Sequence, residues 1–253
     1  MTLAVAGRTH AGRVRRENQD AVCWDTALGL LLVADGMGGH NAGEVAAGLA
    51  VDAVRTFLEQ SSSPSDLAWP FGVDPALSAD GNRLSTAVRL ANQRVVRAAE
   101  QQPRWAGMGT TVVAALVQGD TLTYVGVGDS RLYRWRAGAL EQLTIDDSWV
   151  VALQAQDPGV SRGALATHPM RHVLTNVIGG RDPLEVRVRE TALAAGDRLL
   201  LASDGLHGIV EDRDVGRALG AGTGAEAIAQ ALVDLALAHG GSDNVSVVVG
   251  LVD

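Results

Sequence analysis

The chain has 253 residues, of which 47% are hydrophobic and 20% are charged, and its formal net charge is −8. These values exclude wholesale disorder. They also argue against a general nucleic-acid or anionic-membrane binder, because both of those partners attract a basic face. The length fits one large domain or two small ones.

The predicted elements alternate groups of short strands with three long helices. Period-2 patterns and short apolar runs predict strands at residues 3–9, 21–25, 28–34, 111–118, 121–127, 131–136, 184–190, 198–202 and 245–252. Apolar spacing predicts helices over 42–59, 84–102 and 224–239. The stretch 61–82 carries Ser, Pro and Gly and predicts a surface loop. Hairpin-like strand pairs between helices indicate a mixed protein with a largely antiparallel sheet.

The single cysteine, Cys23, rules out an intramolecular disulfide and suits a reducing compartment. The first residues place an apolar patch ahead of the basic ones, the reverse of a signal peptide. No apolar run approaches the roughly 18 residues of a membrane span. We therefore expect a cytoplasmic protein.

An aspartate ends three of the strand patterns and a fourth precedes another. Asp35 follows LLLVA, Asp129 follows YVGVG, Asp204 follows LLLAS, and Asp243 lies just ahead of VSVVVGLV. Because antiparallel neighbours place the end of one strand beside the start of the next, the four can share one rim. Like charges on one rim repel unless cations neutralise them, and Mg²⁺ or Mn²⁺ bind such carboxylates. An Asp-Gly turn explains any one of them alone, whereas the set of four favours a metal site.

Other site chemistries lack their motifs. The stretch GMGGHNAGE at 36–44 has no lysine, so a P-loop is unsupported. Strand patterns follow the glycines of GMGTT where a Rossmann fingerprint needs a helix. His168 and His172 have the spacing of a zinc protease, but Pro169 stands where its glutamate belongs, so both histidines are predicted to be structural.

Seven stretches follow one another along nearly the whole chain. They are RRENQD (15–20), ADGMGGHNAGE (34–44), GMGTT (107–111), VGDSRLY (127–133), THPMRHVLTNVIGG (167–180), LLASDGLHGIV (200–210) and GSDNVSVVV (241–249). In this order they resemble the motifs of the protein phosphatase 2C family, the metal-dependent Ser/Thr phosphatases, in its bacterial form. The resemblance implies one catalytic domain over 1–253 with a variable flap at about 146–166. The implied fold is α+β, a β-sandwich of two antiparallel sheets flanked by helix pairs in αββα layers.

The resemblance also implies a centre of two Mn²⁺ or Mg²⁺ ions, with a weaker third. Asp35 is similar to the carboxylate that bridges both metals, and Gly36 to the ligand that offers its backbone carbonyl. Asp204 and Asp243 are similar to the remaining ligands of the first metal. Asp129 is similar to the residue that holds the third metal together with Asp204.

Further roles are implied around these ions. Asp20 would contact the second metal through water, and Gln19 stands where many members carry a glutamate ligand, although a neutral amide binds a cation more weakly. Arg15 corresponds to the arginine that grips the substrate phosphate, which suits a planar guanidinium with paired donors. His40 is either the general acid or a loop histidine bonded to backbone. The flap reads DDSWV where many members have DHS, so flap contacts to substrate are not carried over.

The implied reaction is attack of a metal-bridging water on a phosphoserine or phosphothreonine monoester. The expected partners are phosphorylated proteins and an opposing Ser/Thr kinase, with no nucleic acid and no membrane, and the chain is expected to be a monomer. Two alternatives remain. One is a regulatory or binding domain of the same fold with weak turnover, and the other is a hydrolase of small phosphate esters.

Overall fold

Two antiparallel sheets lie at the centre of the computed structural model, which describes residues 1–39, 42–62, 69–157, 159, 165, 168–181 and 183–253. One sheet contains β1 (Leu3–His10), β7 (Arg131–Arg136), β8 (Ala139–Gln142), β10 (Arg198–Ala202) and β11 (Val245–Val252). Its strands run in the order β1-β11-β10-β7-β8. The other contains β2 (Asp20–Asp25), β3 (Leu30–Met37), β5 (Val112–Gln118), β6 (Thr121–Val127) and β9 (Val188–Ala192) in that order, and the short β4 (Gly109–Thr110) pairs with β3.

Helices cover the outer faces of both sheets. Helices α1 (Ala42–Gln60) and α2 (Ala79–Gln101) pack on the sheet that contains β3. Helices α5 (Asp212–Ala221) and α6 (Ala225–Ala238) pack on the sheet that contains β11. Two shorter helices, α3 (Trp149–Gln156) and α4 (Asp204–His207), and a 3₁₀ turn (Pro103–Trp105) complete the described helices. The predicted αββα sandwich of two antiparallel sheets is confirmed.

The central strands are apolar on both faces because each face is covered. In β3, Leu30, Leu32 and Ala34 face the helices α1 and α2. Leu31 and Val33 face the second sheet, in the core between the two sheets. The alternation of side chains along a strand therefore gives one continuous apolar run rather than an apolar and a polar face.

The structure corrects several predicted boundaries. Strand β3 continues to Met37 because Gly36 and Met37 pair with β4, so Asp35 lies inside the strand rather than after it. Helix α2 begins at Ala79, where the Ser78 hydroxyl accepts a hydrogen bond from the Gly81 N–H (3.0 Å), so the last four residues of the predicted loop 61–82 are helical. Residues 63–68 of that predicted loop lie outside the described residues. The strand predicted at 184–190 forms at Val188–Ala192, and β8, α3 and α5 were not predicted.

The remaining expectations on organisation concern the flap and membrane spans. Helix α3 lies within the predicted flap, of which residues 158, 160–164 and 166 lie outside the described residues. Within the described part of the chain, no helix combines the length and the hydrophobicity needed to cross a bilayer. The single-domain organisation over 1–253 stays a prediction.

Candidate functional site

A cleft of about 720 Å³ opens where the two sheets end side by side. Four aspartates that the sequence singles out line it, namely Asp35 on β3, Asp129 after β6, Asp204 after β10 and Asp243 ahead of β11. Asp35 belongs to one sheet, whereas Asp204 and Asp243 flank strands of the other. The sandwich therefore collects on one cleft carboxylates that are as far as 208 residues apart in the chain.

Asp35 is held by its backbone. Its N–H donates to the Thr111 hydroxyl (3.0 Å), and the Ser130 hydroxyl lies 2.7 Å from the same oxygen. Burial raises the pKa of Asp35 well above its ordinary value, and the charges of Asp20 and Asp204 raise it further. A carboxylate in this position is costly to ionise without a nearby positive charge.

The turns that carry Asp204 and Asp243 are in backbone contact. A Cβ on Gly205 would lie 1.8 Å from the Asn244 carbonyl oxygen, so no larger residue fits after Asp204. Burial raises the pKa of Asp204, and the Asp243 charge adds to the shift. The close packing of these two turns thus places two carboxylates side by side.

Asp129 follows β6 and is partly buried. Burial raises its pKa to about 7, with a further contribution from the charges of Asp204 and Asp146. Its charge is therefore repelled by the same cluster that raises the pKa of Asp35.

Asp20 lies behind the cleft rather than on its lining. It pairs in register with Asp35 across β2 and β3. Its Oδ2 accepts a hydrogen bond from the Ser203 hydroxyl (2.8 Å), while its buried Oδ1 has no hydrogen-bond partner among the described residues. Burial raises its pKa to about 6, and the charges of Asp204 and Asp243 contribute. The orphaned oxygen is a polar atom that a bound water or cation would satisfy.

Arg15 lies at the edge of the cleft and is more than half exposed. Its Nη2 donates to Asp243 Oδ2 at 2.7 Å. The hydrogen bond and the charge of Asp243 raise the pKa of Arg15, and the charges of Asp204 and Asp35 add to this. The guanidinium therefore faces the acidic cluster directly.

Gln19 and Gly36 lie next to each other on the lining. The Gln19 carbonyl accepts a hydrogen bond from the Gly36 N–H (3.1 Å). A Cβ on Gly36 would lie 2.0 Å from the Gly43 carbonyl oxygen and 2.6 Å from the Gln19 carbonyl oxygen. The first turn of α1 and the chain at Gln19 thus exclude any larger residue at position 36.

The donor chemistry of the cleft suits a hard divalent ion, because its lining combines several carboxylates with backbone carbonyls. As the side chains stand, however, no three Asp, Glu, His or Cys side chains of the described residues are arranged as a ready ligand set. Asp243 illustrates the reason, since Arg15 engages its Oδ2 and the Asn244 N–H donates to its Oδ1 (2.8 Å). An ion there would require Asp243 to exchange these partners.

The histidines occupy different places. His168 stacks on Trp149 with ring centroids 4.4 Å apart, in agreement with a packing role. His172 instead lines the cleft and is exposed, although the sequence predicted a structural residue. His40, the candidate general acid, lies outside the described residues.

Three polar residues that support the site were not singled out from the sequence. Thr111 holds the backbone of Asp35, and Ser203 contacts Asp20. The buried Asn244 side chain donates to the carbonyls of Ala11 (3.0 Å) and Glu17 (2.8 Å), and accepts from the Gln19 N–H (2.8 Å). It therefore fixes both ends of the loop that carries Arg15. The available signal was the position of each residue directly beside a motif aspartate or an apolar strand.

The two-sheet sandwich, with an acidic cleft at the sheet ends and an arginine at its edge, is the architecture that the sequence resemblance implies. A family model described as Protein phosphatase 2C matches residues 6–235, and the chain belongs to this family. The implied family is therefore confirmed.

The chain is also similar to individual members of the family. It is 37% identical over 249 residues to the serine/threonine protein phosphatase PstP of Mycobacterium tuberculosis, and this alignment covers 98% of the present chain and 45% of PstP. It is 30% identical over 247 residues to the serine/threonine phosphatase stp of Listeria innocua, which covers 95% of this chain and 92% of stp. A structure of the PstP catalytic domain in complex with two manganese ions superposes with a TM-score of 0.83 at 35% identity, over 99% of both chains. The chain thus spans less than half of PstP and nearly all of the shorter relative.

Proposed function

We propose that the chain hydrolyses phosphoserine and phosphothreonine monoesters on proteins, with two Mn²⁺ or Mg²⁺ ions held in the acidic cleft. The observation that carries the proposal is the convergence of Asp35, Asp204 and Asp243 on one cleft with Arg15 at its edge. The similar PstP and stp proteins are named as serine/threonine phosphatases, and the similar PstP structure contains two manganese ions.

The carboxylates of Asp35, Asp204 and Asp243 and the carbonyl of Gly36 would hold the two ions. Asp129 would contribute with Asp204 to a weaker third site. Gln19 would contact the second ion from the lining of the cleft, and Asp20 would contact it from behind through water. When bound, such ions activate water at neutral pH and neutralise the phosphoryl oxygens. The raised pKa values of Asp35 and Asp129 support this proposal, because they mark an excess of negative charge that cations would relieve.

Arg15 would bind the substrate phosphate. Its guanidinium already donates to a carboxylate oxygen, and a phosphate offers two parallel acceptors to the same planar group. The three hydrogen bonds of Asn244 keep the Arg15 loop in place, so little conformational entropy is lost when the phosphate binds. Exchange of Asp243 for phosphate would leave the Asp243 carboxylate available to a cation.

Protonation of the leaving alkoxide needs an acid near the cleft. We propose His40 for this role, with a loop histidine bonded to backbone as the alternative. The opposing enzyme would be a Ser/Thr protein kinase. The monomeric state, the cytoplasmic location and the absence of nucleic-acid and membrane partners stay predictions.

The deciding experiment compares a phosphothreonine peptide with p-nitrophenyl phosphate, each with MnCl₂ or with EDTA. Turnover of both should require the metal and fall at least about 100-fold in Asp35→Asn. Asp234→Asn, an exposed aspartate on α6, is the matched control and should retain full activity. Metal-independent turnover, or full activity of Asp35→Asn, would contradict the proposal.

The same experiment separates the alternatives. Turnover of p-nitrophenyl phosphate without turnover of any phosphopeptide would favour a small-ester hydrolase. Absence of turnover in a protein that binds Mn²⁺ by calorimetry would favour a regulatory domain.

A further inference from the structure

Two segments at the mouth of the cleft concentrate positive charge in a chain whose net charge is −8. The loop 11–19 carries Arg13, Arg15 and Arg16, and the segment 168–174 carries Arg171. Arg15, Arg16 and His172 line the cleft itself. Here these two segments together are called the basic rim. Glu17 on the same loop adds one negative charge to it.

Three arginines of the basic rim, namely Arg13, Arg16 and Arg171, are exposed. Within the described residues, no carboxylate forms an ion pair with Arg13, Arg16 or Arg171. Many arginines elsewhere do pair with a carboxylate, as Arg131 does with Asp146 at 2.7 Å. With no competing carboxylate among the described residues, these three exposed guanidiniums are available to an acidic ligand.

The basic rim also exposes apolar side chains beside these arginines. Val14 is 69% exposed, Val173 is 43% exposed and Met170 is 38% exposed. These side chains offer apolar contact area next to the guanidiniums. A peptide laid across the cleft would cover them.

Both segments of the basic rim are held in place by contacts with the body of the protein. The Arg13 N–H donates to the Gly241 carbonyl (2.7 Å), and Asn244 binds the loop at Ala11 and Glu17. On the other side, the Trp149 N–H donates to the Val173 carbonyl (2.8 Å). The positive charges are thus presented in a preorganised arrangement, which favours binding.

We infer that the basic rim selects phosphorylated segments with acidic residues next to the phosphorylated side chain. This inference rests on the proposed function, since the phosphate must enter the cleft for its neighbours to reach the rim. Carboxylates on the substrate would pair with Arg13 and Arg16 on one side and with Arg171 on the other. Basic residues next to the phosphorylated side chain would be repelled by these arginines, so segments that carry them would bind more weakly.

The test uses phosphothreonine peptides of equal length, flanked by Asp and Glu, by Ser and Ala, or by Lys and Arg, with the full chain and MnCl₂. We expect kcat/KM to be about tenfold higher for the acidic than for the basic peptide, mainly through KM, because exposed pairs are individually weak but several act together. The ratio of kcat/KM between the acidic and the basic peptide should approach one in 0.5 M NaCl, since salt screens exposed charges.

Charge-reversal variants test which arginines cause the preference for acidic peptides. The double variant Arg13→Glu/Arg16→Glu and the single variant Arg171→Glu should each lower the acidic-over-basic ratio, and Arg13→Gln/Arg16→Gln should lower it less. Arg97→Glu is the matched control, because Arg97 is an exposed arginine on α2 without a carboxylate partner among the described residues, and its ratio should be unchanged.

Equal kcat/KM for acidic and basic peptides would overturn the inference, as would a preference that persists in both charge-reversal variants. These outcomes differ from a failure of the proposed function. In that case no peptide of any charge would be turned over above the rate of Asp35→Asn.

Discussion

Asp129 illustrates how a single residue of the site opposes folding. Burial raises the pKa of Asp129 to about 7, so its carboxyl group binds a proton more tightly in the folded chain than in the unfolded chain. The resulting destabilisation is absent below the unfolded pKa near 3.8, grows as the pH rises, and is fully present above about pH 7. Asp20, Asp35 and Asp204, the other carboxylates of the site with a raised pKa, act in the same direction.

We therefore expect Asp129→Asn to stabilise the metal-free protein. In EDTA at pH 8 the gain should be on the order of 2 kcal/mol, and at pH 5 it should fall to less than half of that. Thermal unfolding followed by circular dichroism at the two pH values measures it. Asp253→Asn, at the exposed chain end, is the control and should leave the thermal unfolding midpoint unchanged at both pH values. A loss of stability in Asp129→Asn at pH 8 would show that its hydrogen bonding outweighs its charge.

The elements around the site meet through their backbones. Strand β3 approaches the first turn of α1 so closely that a Cβ on Gly36 would lie 2.0 Å from the Gly43 carbonyl oxygen. Neither backbone can yield without breaking the pairing of β3 with β4 or the start of α1. The glycine after Asp35 is therefore required by packing between elements, independently of any ligand.

Gly36→Ala should lower the free energy of unfolding by at least about 3 kcal/mol, because an overpacked backbone contact must move two elements apart. Gly48→Ala is the matched control on the exposed face of α1, where an added Cβ meets no atom within 4 Å. It should raise stability by up to about 1 kcal/mol, since alanine favours the helix. Urea denaturation of both variants measures the difference. Similar effects of the two substitutions would contradict the packing role of Gly36.

Element prediction from the sequence succeeded where a pattern was local. Helix α1 (Ala42–Gln60) and helix α6 (Ala225–Ala238) were predicted to within one residue at each end, because an apolar stripe at helical spacing is visible in the sequence. Helix α5 was missed, since it is short and its Gly216 and Gly220 are poor helix formers. Those glycines pack against Leu140 and Trp135, and this tertiary contact is not visible locally.

At the scale of the whole molecule, the cleft joins the two sheets. Asp35 is supplied by the sheet that contains β3, and Asp204 and Asp243 by the sheet that contains β11. A cation bound by all three would cross-link the two layers of the sandwich and relieve the repulsion among their carboxylates. Metal binding should therefore raise the free energy of unfolding of the whole chain.

We expect MnCl₂ at about 100 times its dissociation constant to add about 2.7 kcal/mol, which raises the unfolding midpoint by about 5–10 °C at pH 7.5. The rise should be smaller at pH 5, because protons then compete for carboxylates whose pKa values are raised. EDTA should reverse it, and Asp35→Asn should remove most of it, whereas Asp234→Asn should not. An equal rise in Asp35→Asn would place the ion outside the cleft.

The sequence by itself determined the family, the two-sheet sandwich and which four aspartates line the cleft. The reason is that the strand patterns and the order of the motifs can be read directly along the chain. Only the tertiary structure decided that Asp35 lies inside β3, that Asp20 is buried behind the cleft and that Asn244 holds the Arg15 loop. It also decided that Arg16 and His172 line the cleft. These facts depend on contacts between residues up to 233 positions apart, as between Ala11 and Asn244, and no local pattern encodes such contacts.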